Sequence, residues 1–94
     1  MSNTILPKKV TISDTVLFQQ IGGECILLNM ESEQYFGLDE IGARIWQELS
    51  KDGDTEKTVS QLLSEYNIDE AKLKEDLADL INELEKEKLI VIEG

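Results

Sequence analysis

Acid–base, nucleophilic and metal chemistry near neutral pH draws mainly on histidine and cysteine. This 94-residue sequence has no histidine and a single cysteine, Cys25. Cys25 lies in the apolar run Glu24-Cys25-Ile26-Leu27-Leu28, where a free thiol reads as a small, inert core residue. Carboxylates are abundant, 20 against nine Lys and Arg. Glu75, Asp79 and Glu83, however, fall at helical spacing opposite an apolar stripe, the pattern of a solvated helix face. Asp52-Gly53-Asp54 is too short for a calcium loop and reads as a turn. Gly22-Gly23 lacks the longer glycine pattern and the Lys-Ser/Thr of a phosphate loop. These residues predict a protein without catalytic residues, cofactor or metal.

The formal net charge is −11. Nucleic-acid affinity comes largely from Lys and Arg neutralising phosphates, and anionic membranes select the same residues. Neither is expected as a partner, whereas a neutral or basic peptide is compatible. No apolar run approaches the length of a membrane span, and the N-terminus lacks a charged-then-apolar signal pattern. A lone cysteine cannot form an internal disulfide. The expected location is the cytoplasm.

Any chemistry left is binding, and it depends on how the elements arrange a surface. Residues 1–9 contain Pro7 and little pattern, and read as a loose tail of a single domain spanning 1–94. Val10 to Ser13 alternates briefly and could add to a sheet. Val16 to Ile21 is rich in strand formers, and Gly22-Gly23 suits a hairpin turn. Glu24 to Met30 reads as a central strand, and Gln34-Tyr35-Phe36-Gly37-Leu38 as a third, giving an antiparallel meander.

The period then becomes helical. Asp39 is a candidate N-cap for a helix carrying Ile41, Ile45, Trp46 and Leu49, broken at Asp52-Gly53-Asp54. Thr58 and Gln61 have capping-box spacing for a second helix with Val59, Leu62, Leu63 and Tyr66. Asp69 can cap a third, stapled by Ile68 and Leu73, with Leu73, Leu77, Leu80, Ile81 and Leu84 as its stripe. Leu89 to Ile92 is an apolar tail that pairs as a strand or simply packs. The predicted class is α+β, a winged-helix-like arrangement of a three-stranded antiparallel meander followed by three helices.

The third strand is an edge of that meander unless the tail or third helix covers it. It is apolar, aromatic and free of Lys and Pro, which suits an added partner strand. On the third helix, Leu73, Leu80 and Leu84 read as core. Lys74, Leu77, Ala78, Ile81 and Glu85 read as the wall of a groove beside the edge strand, floored by the small Ala78.

The stretch VLFQQIGGECILLNMESEQYFGLDEIGARIWQEL, with Leu27-Leu28-Asn29, Tyr35-Phe36-Gly37-Leu38 and Ile41 to Trp46, resembles the PqqD-like family of RiPP precursor-peptide recognition elements. TVSQLLSEYNIDEAKLKEDLADLINELEKEKLI is similar to that family's second and third helices. The resemblance covers roughly residues 10–92 and implies a non-catalytic module. Such a module binds the leader segment of a precursor peptide as a strand beside the third strand and against the third helix. The Tyr-Phe-Gly-Leu form looks more like the stand-alone domains of lasso-peptide pathways than the quinone-cofactor member. The partners implied are a precursor leader peptide and a modifying enzyme or leader peptidase. Together the residues and the resemblance nominate Leu28, Gln34, Tyr35, Phe36, Gly37, Leu38, Lys74, Leu77, Ala78, Ile81 and Glu85 as peptide-binding. A leader that orders on binding should have a Kd from about 10 μM to about 10 nM. Two rival readings are a winged-helix transcription regulator, which acidic residues on the third helix oppose, and a homodimeric scaffold module.

Overall fold

The computed structural model describes residues 6–22 and 24–93. Five strands and three helices follow in order. These are β1 (Val10–Ile12), β2 (Val16–Ile21), β3 (Glu24–Asn29), β4 (Gln34–Leu38), α1 (Glu40–Asp52), α2 (Thr55–Glu65), α3 (Glu70–Lys86) and β5 (Ile90–Ile92). The expected α+β order of a meander followed by three helices is present. β2, β3 and β4 form an antiparallel sheet in that spatial order, and β1 and β5 form a separate two-stranded sheet.

Alternation within the meander decides what faces inward. Phe18, Leu27 and Phe36 stand opposite one another across the three strands, and Gln20, Cys25 and Leu38 form the next inward row. Leu27 is fully buried, and Cys25 is a buried free thiol. These rows close onto Ile45, Trp46 and Leu49 of α1, Leu62 of α2 and Leu73, Leu77, Ile81 and Leu84 of α3 in one continuous core.

Each helix begins at an aspartate. The Asp39, Asp54 and Asp69 carboxylates accept from the N–H groups of Gly42, Lys57 and Lys72 at 2.7, 3.0 and 3.0 Å. The second cap differs from the capping box expected at Thr58 and Gln61. Thr58 sits one turn inside α2, where its hydroxyl donates to the Asp54 carbonyl at 2.9 Å. Asp54 wins because it directly follows the glycine that ends α1. Gly53 has φ +73, and its N–H donates to the Leu49 carbonyl at 2.8 Å.

The expected looseness before Val10 fails for Pro7 to Lys9. The Thr55 hydroxyl donates to the Pro7 carbonyl, and the Thr55 N–H donates to the Lys8 carbonyl at 3.2 Å. Val10 donates to the Gly53 carbonyl at 3.0 Å, and Glu93 to the Lys9 carbonyl at 2.9 Å. A proline that forbids helix still allows extended backbone, and here that backbone is pinned from both sides. Residues 1–5 of the expected tail, and Gly23 of the hairpin turn, lie outside the described residues. Gly22 has φ +57, as a two-residue hairpin turn requires.

The Asn29 carboxamide closes the β3–β4 connection. Its oxygen accepts from the N–H groups of Glu31 and Ser32 at 3.0 and 3.3 Å, and its nitrogen donates to the Glu87 carbonyl at 3.4 Å. α1 and α2 are joined by Arg44, whose guanidinium grips Glu65 through two bonds of 2.8 and 2.6 Å. Arg44 also meets Glu48 at 2.7 Å, and Lys51 reaches the same Glu48 oxygen. The Arg44 hydrogen bond is the main reason that the Glu65 carboxyl is held down at about 2.

A Cβ at position 53 would run into the Val10 carbonyl oxygen as well as occupy the left-handed region. Gly53→Ala is therefore expected to destabilise the fold by about 2 kcal/mol or more, read from urea unfolding. A depressed carboxyl stabilises the fold above its unfolded pKa and loses that contribution as it is protonated. Stability should thus fall as pH drops from about 4.5 towards about 2. Arg44→Gln should flatten that part of the profile in unfolding midpoints measured against pH.

Candidate peptide-binding site

β4 pairs with β3 on one side and has no strand on the other among the described residues. Each residue of a strand turns its backbone groups alternately to one side and the other, so part of β4's N–H and C=O groups face open space. The tail does not cover this edge, because β5 pairs with β1 through Val10 opposite Ile92 and Ile12 opposite Ile90. The residues of the edge, Gln34 to Leu38, are those expected from sequence.

Beside this edge lies a cleft of about 800 Å³. Phe36, Gly37, Leu38 and Asp39 form one wall, and Lys72, Leu73, Asp76, Leu80 and Glu83 of α3 form the other. Ile41, Gly42 and Ile45 of α1 lie along it, with Ile68 ahead of α3. The cleft exists because α3 packs on α2 and β5, while β4 packs on β3 and α1. Gly42 keeps the α1 side shallow: a Cβ there would stand 3.1 Å from Asp39 Oδ1 and 3.3 Å from Leu38 Cδ2. Phe36, Ile41, Ile68 and Leu80 are partly buried apolar side chains packed against the core. They offer apolar surface to a ligand without leaving the fold. At the cleft's upper wall the Lys72 ammonium pairs with Asp76 at 3.1 Å, which raises the lysine's pKa.

The residues nominated on α3 are not those that line the cleft. Leu77 and Ile81 are 0% and 1% exposed and belong to the core. Lys74 pairs with Glu70 at 3.0 Å and borders a different depression, shared with α2. Ala78 is half-buried and Glu85 exposed, and neither lines the cleft. The helix is rotated relative to the sequence reading, so Leu73, Leu77, Ile81 and Leu84 make the deepest line. Lys72, Asp76, Leu80 and Glu83 run beside it towards β4. Leu80, read as core, is the apolar residue of that flank. The sequence alone does not single it out, because Leu80 and Ile81 each complete a four-residue stripe with Leu73, Leu77 and Leu84.

The nominated strand residues divide between two faces. Phe36 and Leu38 turn to the core side and border the cleft, while Leu28 and Tyr35 stand opposite each other on the outer face. Gln34 is exposed at the start of the edge, and Gly37 is exposed with open space where a Cβ would stand. No group of three or more potential metal ligands occurs among the described residues, and no helix among them is long and apolar enough to cross a membrane.

The family model PqqD, coenzyme PQQ synthesis protein D, matches residues 24–90. No curated protein sequence matches at a significant level. The solved structure of TbiB1 in complex with the TbiA(beta) leader peptide superposes with a TM-score of 0.78 at 35% identity. That alignment covers 85% of this chain and 93% of that one. A lasso peptide synthetase B1 complexed with the leader peptide also superposes at 0.78, with 22% identity over 88% of this chain and 98% of that one. The second likeness is one of fold. The first extends to sequence along nearly the whole of both chains and agrees with the matched strands and helices: this chain belongs to the PqqD family.

Proposed function

We propose that this chain is a non-catalytic module that captures the leader segment of a ribosomally made precursor peptide and presents it to a modifying enzyme or leader peptidase. The observation that carries this reading is the free edge of β4 beside an apolar-lined cleft. A leader adding as a strand would take the open N–H and C=O groups of alternate residues along β4, whatever its sequence. Its alternate side chains would enter the cleft between Phe36, Ile41, Ile68 and Leu80 and supply specificity. The TbiB1 relative, solved with its leader peptide, supports this assignment. The Tyr35-Phe36-Gly37-Leu38 form of β4, which resembles the stand-alone lasso-pathway domains, favours a lasso-type pathway, with a leader peptidase as partner, over a quinone-cofactor one.

The module needs no chemistry of its own, because ordering the leader raises the local concentration of the attached core peptide at the partner enzyme. A DNA-reading role is opposed by the charge of α3, which carries Glu70, Glu75, Asp76, Asp79 and Glu83 on a chain of net charge −11. The lining of the cleft favours a different substitution as the probe of the groove. The α3 residue to alter is Leu80, not Ala78.

The test is a titration of fluorescently labelled TbiA(beta) leader peptide, with circular dichroism as the folding control. The unmodified chain should bind with a Kd of about 10 μM or tighter. Leu80→Glu places a charge in the apolar cleft and should weaken binding by about tenfold or more. Ala78→Glu should stay within about twofold. No binding to the unmodified chain, or equal loss in both variants, would overturn the reading. Leu77→Ala should instead cost about 2–5 kcal/mol of stability in urea unfolding, as expected of a fully buried leucine.

A further inference from the structure

The meander has an outer face that the cleft does not use. The registers align Leu17 with Leu28 and Tyr35, and Gln19 with Ile26 and Gly37. These rows point away from the core, since successive residues of a strand face opposite sides and Phe18, Leu27 and Phe36 point into it. Leu17, Ile21 and Tyr35 are 40%, 58% and 70% exposed. Ile26 and Leu28 beside them are half-buried. A sheet with one solvated face ordinarily turns polar side chains outward. Here Gln19 and Glu24 are the polar side chains that do so. Exposed apolar side chains gathered on one face in this way are the pattern of a docking surface.

Charge selects the occupant. Between Lys9 and Arg44 the sequence has no Lys or Arg, while it carries Asp14, Glu24, Glu31, Glu33, Asp39 and Glu40. Glu24 stands on the face itself, and Glu31 and Glu33 follow β3 in the turn at its other end. A second copy would set acid against acid on chains of net charge −11, and an anionic membrane is repelled likewise. We propose that the outer face of the meander is a second docking surface, taken by a protein partner that presents an apolar patch edged by Lys or Arg. It lies on the side of the sheet away from the cleft, and its β2 portion is a full strand removed from the β4 edge. It therefore does not depend on the leader-binding reading.

The probe is a ~14-residue amphipathic helical peptide of Leu and Lys, long enough for about four turns, with an isomer bearing Glu for Lys as control. Amide shifts in the unmodified, isotope-labelled chain should move along β2, β3 and β4 with the Leu/Lys peptide and not with the Leu/Glu isomer. Leu17→Ser combined with Ile21→Ser should weaken the Leu/Lys peptide by at least about tenfold. Both positions lie on β2, so the affinity for TbiA(beta) leader at β4 should be unchanged. Shifts confined to the acidic side of α3, or unchanged affinity in the folded double variant, would overturn the proposal. So would sedimentation showing a dimer of the unmodified chain that the two serines dissociate. If the leader alone fails to bind, the β4 reading falls and the shift map still decides this one.

Discussion

Antiparallel pairing between β5 and β1 is the constraint on which the rest of the molecule rests. A three-residue strand has few backbone groups to offer, and Ile90–Ile92 commits its inward-facing set to Val10–Ile12. That pairing leaves β4 without a strand on one side among the described residues, and it holds Lys9 and Val10 against the α1–α2 junction. Val10 is nearly inaccessible, and its N–H is bonded to Gly53. The connection that ends α1, the cap that begins α2 and the last strand all meet at one place. α3, whose C-terminal end leads directly into β5, is thereby set at a fixed distance from β4 instead of lying on it.

The alternation of side chains lets one three-stranded sheet serve three purposes. Its inner rows build the core, its β4 edge offers backbone, and its outer rows offer apolar side chains. None of these interferes with the others, because the two faces point in opposite directions and the edge points sideways in the plane of the sheet. The helices use a similar economy. On α3 a shift of one position separates Ile81, sealed in the core, from Leu80, which lines the cleft, and a further turn around the axis reaches acid in water.

Much of this was legible from residue types. The meander strands announced themselves as three runs of strand-forming residues separated by Gly-Gly and Glu-Ser-Glu, and Asp39 and Asp69 marked two helix starts. Three things were not. Asp54 was hidden because Thr58 and Gln61 imitate a cap, whereas the true cap depends on the left-handed glycine before it. The anchoring of Pro7 and Lys8 rests on bonds to Thr55, and that of Lys9 on one from Glu93, all far along the chain and invisible to local pattern. The rotation of α3 was ambiguous in principle. Leu73-Leu77-Leu80-Leu84 and Leu73-Leu77-Ile81-Leu84 are both good helical stripes, and only the packing of α2 and β5 chooses between them.

The bond from Glu93 to the Lys9 carbonyl brings the two ends of the folded unit side by side. A unit of that shape behaves like a cassette. It can be spliced into a surface loop of another protein without forcing the host's flanking segments apart, and a short bridge between its ends would yield a circular permutant opened elsewhere, for instance in the exposed Glu31–Glu33 turn. The bond that sets Glu93 beside Lys9 therefore suits the folded unit to insertion as well as to end-to-end fusion.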